Sequence, residues 1–235
     1  MMNEYTYDVS MFRDTFETRF TYLNGFLRNV SRFGAHPALF DPRSGRRWTY
    51  RELNAEANRL AHALRADGVG KNDVVMFTLL NSPEFVFCYL ATHKIGAIAC
   101  PVNYRQGAGE IALVIDDSRP KAFIYDAEFG ELSGGALELC ESKPAVRIVV
   151  GAEDAPAGQV SYADYVADRP ETDPPIDFHP HIYDETTRLY TSGTTNRPKG
   201  VPINNINEVL SAHDVMMHFP LGPTDRTMNM TPWFH

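Results

Sequence analysis

Val74-Val75-Met76-Phe77, then Ser82-Pro83, Gly96 and Ile98-Ala99-Cys100, are the residues that decide the fold. Val74–Phe77 is a short apolar run of strand type. Ser82 is suited to cap a helix and Pro83 to open its first turn, where the missing N–H costs nothing. Gly96 is a stop for that helix. Ile98–Cys100 then reads as a second strand, so this stretch predicts strand, helix, strand. The strands are continuously apolar rather than alternating, as expected where a parallel sheet is covered on both faces.

The same rhythm extends in both directions. Thr49 and Glu52 form a capping box ahead of an apolar face at Leu53, Ala57, Leu60, Ala61 and Leu64, with Gly68 as the stop. Glu110–Asp117 is predicted as helix, Ala122–Tyr125 as strand, Glu131–Cys140 as a weaker helix and Val146–Val150 as strand. Upstream, Phe12, Phe16, Phe20, Leu23, Leu27 and Val30 form a stripe with helical steps. Gly25 within it leaves one helix or two open, and the stripe is expected to pack on the core. Residues 151–187 break the rhythm with Pro156, Pro170, Pro174, Pro175 and Pro180. They are read as a long surface connection, with strand-like residues resuming at Leu189. The fold expected is α/β, with largely parallel sheets and helices on both faces.

Composition narrows the functional classes. The 235 residues include 43% hydrophobic side chains, which excludes a disordered chain. That length can bury roughly 70% of its unfolded surface. No apolar run reaches the ~18 residues of a membrane-spanning helix, and the first residues carry no secretory pattern. The net charge of −8 argues against nucleic acid as a partner. Cys88, Cys100 and Cys140 are widely spaced and odd in number, which predicts buried thiols in a reducing cytoplasm. His179 with His181, and His213 with His218, lack metal-ligand spacing. Asp116-Asp117 is read as a solvated helix end rather than a cation site.

Chemistry concentrates in Tyr190-Thr191-Ser192-Gly193-Thr194-Thr195-Asn196-Arg197-Pro198-Lys199-Gly200-Val201. Apolar residues flank it, so it is predicted as a loop between two strands. Small residues let backbone N–H groups approach an anion, and hydroxyls add rotatable donors. Lys199 supplies a point charge suited to a polyphosphate. This is not a Walker A loop, because the lysine precedes its glycine and Val201-Pro202 continues as strand.

The string resembles the phosphate-binding signature of the adenylate-forming superfamily: acyl-CoA synthetases, peptide-synthetase adenylation domains and luciferases. Three further stretches are similar to family motifs in the expected order. They are Trp48-Thr49-Tyr50-Arg51-Glu52-Leu53; Leu90-Ala91-Thr92-His93-Lys94-Ile95-Gly96-Ala97 with Pro101-Val102-Asn103; and Pro232-Trp233-Phe234-His235. The resemblance covers about residues 23–235, leaving 1–22 as an N-terminal extension to an incomplete N-terminal AMP-binding domain. One departure is Asn196, where the family usually has glycine. Asparagine tolerates a positive φ, so the loop is expected to work; a close backbone–phosphate contact there would instead be obstructed.

The resemblance implies that Thr191, Ser192, Gly193, Thr194, Thr195 and Lys199 hold the β- and γ-phosphates of ATP. It places Trp233, Phe234 and His235 in the acyl and coenzyme A pocket. The aromatic-plus-histidine form is that of acid–CoA ligases rather than amino-acid activators. The implied partners are a carboxylic acid, ATP and coenzyme A, with a homodimer possible in principle. The Mg²⁺-binding glutamate, the ribose-binding aspartate, the hinge and the catalytic lysine of the family fall beyond His235. The chain is therefore expected to be the N-terminal part of a longer enzyme, inactive by itself, with no catalytic or metal residue of its own. Apolar surface is expected around Trp233 and Phe234. The alternatives are an amino-acid-activating or luciferase-like enzyme, or a catalytically dead nucleotide-binding or interaction module.

Overall fold

The computed structural model describes residues 8–191, 197–222 and 224–234. A β-hairpin of β1 (Pro37–Phe40) and β2 (Arg47–Thr49) precedes a seven-stranded sheet. That sheet comprises β3 (Val74–Thr78), β4 (Ile98–Pro101), β5 (Ala122–Asp126), β6 (Val146–Val150), β7 (Val160–Ser161), β8 (Glu185–Thr191) and β9 (Lys199–Asn204). Its order is β7-β6-β5-β3-β4-β8-β9. Every neighbouring pair is parallel except β8 with β9.

Helices α3 (Tyr50–Ala66) and α4 (Pro83–Ile95) cover one face, and α5 (Ala108–Ser118) and α6 (Gly130–Leu139) the other. The strands supply both layers by simple alternation. Val75, Phe77 and Ile124 enter the α3/α4 core, whereas Val74, Met76 and Phe123 enter the α5/α6 core. Phe77, Phe123 and Ile124 are wholly buried, and each such side chain contributes roughly 1.5–3 kcal/mol of transfer free energy. Winding runs from β3 to β4 in one direction and from β4 to β5 in the other. In such sheets the reversal opens a crevice at the C-terminal strand ends.

Local signals set the helix ends. The Thr49 hydroxyl accepts from the Glu52 N–H, and the Glu52 carboxylate accepts from the Thr49 N–H at 2.8 Å. Ser82 caps α4, Pro83 opens it, and Gly96 ends it in the left-handed region at φ +68°. Gly68 also has a positive φ, +78°.

Four expectations are completed or corrected by the structure. The N-terminal stripe forms two helices, α1 (Val9–Arg19) and α2 (Tyr22–Phe33). The break lies at Phe20–Thr21, where the Thr21 side chain caps α2, and Gly25 sits inside α2. The α1 half of the stripe does not enter the core: Phe12, Phe16 and Phe20 stack on one another, and Phe12 is 53% exposed. Backbone contact ties this extension to the body, the Ile182 N–H donating to the Glu17 carbonyl at 2.7 Å.

The proline-rich connection is the third. It carries β7 and a short helix, α7 (Tyr162–Val166), whose Tyr165 and Val166 are buried. Residues 171–177 are then strapped over α3 and α4. Asn58 donates to the Glu171 carbonyl, Lys94 to the Asp173 carboxylate at 2.7 Å, and Arg65 pairs with Asp177. The following strand begins at Glu185, four residues before the predicted start. The fourth is Asp116-Asp117, a helix end solvated only in part: Asp117 is exposed, but Asp116 accepts two backbone N–H groups, from Glu141 and Ser142, at 2.8 Å each. Asp117 is taken up by the site described below.

Candidate nucleotide and acyl site

Antiparallel pairing of β8 with β9 defines the first half of the site. Thr191 stands opposite Lys199, and Tyr190 opposite Gly200. Thr191 and Lys199, which flank the 192–198 segment, thus lie about 5 Å apart at Cα. Ala99 of β4 pairs with Thr187 of β8, so β8 continues past Pro101 and carries Thr191 beyond the C-terminal edge of β4. Thr191 and Lys199 are exposed, and among the described residues Lys199 has no ion-pair partner. Ser192, Gly193, Thr194, Thr195 and Asn196 lie outside the described residues, as does His235.

Tyr190 anchors this hairpin to α5. Its hydroxyl donates to Asp117 Oδ2 at 2.5 Å. Burial, together with the Asp117 carboxylate, pushes the phenol well above its ordinary value, so it remains a donor. Gly200 makes room for this ring: a Cβ there would come within 3.2 Å of the Tyr190 Cζ and Oη. Its small size therefore serves packing.

Loops after β3, β4 and β5 build the second half at the same edge. Asn81 clamps the 231–234 segment, donating to the Thr231 carbonyl at 2.7 Å and accepting from the Trp233 N–H at 2.9 Å. Trp233 meets Phe85 edge-on at 5.5 Å, and Phe234 meets Tyr104 edge-on at 5.1 Å. Tyr104 in turn stacks on Phe129 at 4.8 Å. The apolar exposure expected around this segment is found at Met228 and Met230, each 81% exposed, and not at Phe234, 6% exposed, or Trp233, half-buried, because the neighbouring rings and Asn81 cover those two. Asn81, Tyr104 and Phe129 did not stand out in the sequence. Asn81 lies immediately before a helix cap, and a turn is the ordinary reading of such a residue.

Among the described residues no group of three or more His, Cys, Asp or Glu could hold a metal ion, and no helix is long and apolar enough to cross a membrane. All three cysteines are free and buried. Burial pushes the Cys100 thiol up to about 12, which leaves it without nucleophilic character at neutral pH.

Comparison with known proteins agrees with this geometry. The sequence matches the AMP-binding enzyme family over residues 26–235. It is 35% identical, over 79% of its length, to a 3-hydroxybenzoate/4-hydroxybenzoate–CoA ligase of Thauera aromatica. It is 34% identical, over 84% of its length, to a crotonobetaine/carnitine–CoA ligase of Citrobacter koseri. The chain spans 35% and 38% of those two relatives' lengths. Among solved structures, an anthranilate CoA ligase in complex with anthranoyl-AMP superposes with a TM-score of 0.76 and 28% identity, over 83% of this chain and 37% of that one. A protein described as a long-chain-fatty-acid CoA ligase from Rhodopseudomonas palustris gives 0.80 and 28%, over 92% and 52%. With a family match over nearly all of its length and an α/β sheet like that of these ligases, the chain belongs to the AMP-binding enzyme family.

Proposed function

We propose that this chain is the phosphate-holding part of an AMP-forming acid–CoA ligase. The observation that carries the proposal is the pairing of Thr191 with Lys199 at the C-terminal edge of the sheet. A hydroxyl and an ammonium with no ion-pair partner among the described residues flank the signature loop there. The bound anthranoyl-AMP of the structural relative is an acyl-adenylate, the product expected of the first step.

In that step a carboxylate oxygen attacks the α-phosphorus of ATP. The bond from that phosphorus to the α–β bridging oxygen breaks, and pyrophosphate leaves. In the second step the sulfur of coenzyme A attacks the acyl carbonyl carbon, loses its proton, and AMP leaves. Thr191, Ser192, Gly193, Thr194, Thr195 and Lys199 would hold the departing β- and γ-phosphates. Their contribution is positioning and charge stabilisation rather than covalent chemistry. Trp233, Phe234 and His235, backed by Tyr104 and Phe129, would form the wall of the acyl and thiol route. Mg²⁺ accompanies ATP, and no described residue is assigned to it. Use of ATP and coenzyme A, with three reduced thiols, fits a cytoplasmic enzyme.

The test is ATP binding by calorimetry and ATP–pyrophosphate exchange in the protein as purified from its source cell. The acids offered should include hydroxybenzoates, crotonobetaine, fatty acids and amino acids. Lys199→Ala is expected to weaken ATP binding and to lower exchange about 10²–10³-fold. Exchange with amino acids alone would favour an amino-acid activator. ATP binding indifferent to Lys199→Ala would overturn the assignment.

A further inference from the structure

We propose that Glu208 is the positioning residue for the phosphate loop, acting through its hydrogen bonds to seat the β8–β9 hairpin on α4. The proposal rests on the phosphate-holding role given above to Thr191 and Lys199. Glu208 lies on α8 (Asn205–His218), the helix that follows β9. Its side chain is 8% exposed, yet it is surrounded by donors. Oε1 accepts from the hydroxyls of Tyr89 at 2.7 Å, Thr186 at 2.8 Å and Thr187 at 2.7 Å. Oε2 faces His93 Nε2 at 3.0 Å. The other ring nitrogen of His93 lies 2.7 Å from the Tyr89 carbonyl. Both ring nitrogens of His93 are thus held, one by Glu208 and one by the Tyr89 carbonyl.

Three features make this cluster more than a satisfied buried acid. Adjacent residues of a strand normally point to opposite faces, yet Thr186 and Thr187 both reach one carboxylate oxygen. The register irregularity between Glu185 and Thr187 re-aims them. Next, the recorded ladder between β4 and β8 is the single pair Ala99 with Thr187. The hairpin's seat on the parallel sheet is thus centred on the residue that Glu208 grips. Last, burying a carboxylate is expensive, and a leucine of similar volume would cost less desolvation. What the carboxylate provides and a leucine cannot is a fixed bond geometry linking α8, β8 and α4. Four residues beyond Thr187, the same strand delivers Thr191 opposite Lys199, so tilting the seat moves both ends of the loop. A cavity of about 30 Å³ beside His93, lined in part by Thr186, Asp184 and Asn205, has room for one water but not for a side chain to replace these bonds.

Amide hydrogen exchange and ATP calorimetry on the same chain test this, with Glu208→Ala, Glu208→Gln, Thr187→Val and Lys199→Ala. Glutamine keeps an acceptor for the three hydroxyls and a donor for His93. Expected for Glu208→Ala is exchange at least tenfold faster in residues 185–191 and 199–204, unchanged exchange in 74–78, and ATP binding about tenfold weaker. Thr187→Val, which keeps the side chain's shape and removes its hydroxyl, should shift both readouts in the same direction by about threefold. Glu208→Gln should stay within about twofold of the parent. The proposal is overturned if Glu208→Ala leaves hairpin exchange unchanged, if exchange rises equally in 74–78, or if Glu208→Gln behaves like Glu208→Ala. If Lys199→Ala leaves ATP binding unchanged, the phosphate-holding reading fails, while the exchange pattern still decides whether Glu208 seats the hairpin.

Discussion

A methyl group at Gly96 has nowhere to go. The residue sits at φ +68°, and a Cβ there would lie 2.7 Å from Cζ of Phe178, the residue after the strap. The left-handed backbone costs an L-residue about 1–2 kcal/mol, and overpacking adds about 1–3 kcal/mol. Gly96→Ala should therefore lose about 2–4 kcal/mol in urea unfolding. Adding Phe178→Ala should recover the packing part and leave the backbone part, a separation that a double-mutant cycle measures. Two carboxyls, Glu208 buried and Asp173 exposed but paired with Lys94, contribute to the acid response. Burial works to raise Glu208, but the His93 charge and hydrogen bonds from His93, Thr187 and Tyr89 outweigh it and hold it below the ordinary value. Burial also opposes Lys94, Asn54 and Asn58 at Asp173, which is held below its ordinary value as well. A carboxyl depressed in the folded state stabilises above its unfolded pKa, and that stability is lost as pH falls through the folded pKa. The melting temperature should be flat from pH 7 to the top of the carboxyl range and fall below it. The groups around Glu208 are His93, Tyr89 and Tyr22. The acid slope should be shallower in Glu208→Gln; an unchanged slope would place the titration elsewhere.

Elements whose instructions are local were legible in the sequence. The capping box at Thr49, the Ser82-Pro83 start and the Gly96 stop each act within one turn, and all three stand where they were read. Thr49→Ala should accordingly cost about 1 kcal/mol, measurable as a lower urea midpoint with an unchanged slope. The hairpin around the signature loop was legible for the same reason: apolar runs on both sides of one polar string. The β1–β2 hairpin was not, since strands of four and three residues carry too little periodicity. Nor was the strap, whose order comes from Asn58 and Lys94, 113 and 79 residues from their partners. The site divides along this line. Thr191 and Lys199 are read from one string, whereas Asn81 holds a backbone 152 residues away, and only the fold brings them together.

At the scale of the molecule, apolar exposure extends well beyond the segment where it was expected. Phe234 is covered and Trp233 half-covered, with Met228 and Met230 exposed just before them, whereas α8 has only Asn205 buried and every residue from Ser211 to His218 is exposed. Val215, Met216 and Met217 crowd the outer half of that helix, with Phe219 just beyond, and Met217 is 72% exposed. Single exposed apolar side chains are ordinary, but a contiguous group of this kind promotes association. The net charge of −8 gives long-range repulsion between copies, which salt screens within about 8 Å at physiological ionic strength. Light scattering of the chain should therefore show concentration-dependent association that increases with salt. Met216→Lys with Met217→Glu should return it to a single species without changing the melting temperature, because neither side chain packs on the body. The positions of α8 make this separable from the Glu208 seat, which lies two turns earlier on the helix and faces inward. A chain that stays monomeric at high concentration and high salt would show that this surface is not adhesive. Association that survives both substitutions would move the contact to another face, with the stacked Phe12 and Phe16 of α1 the next to substitute.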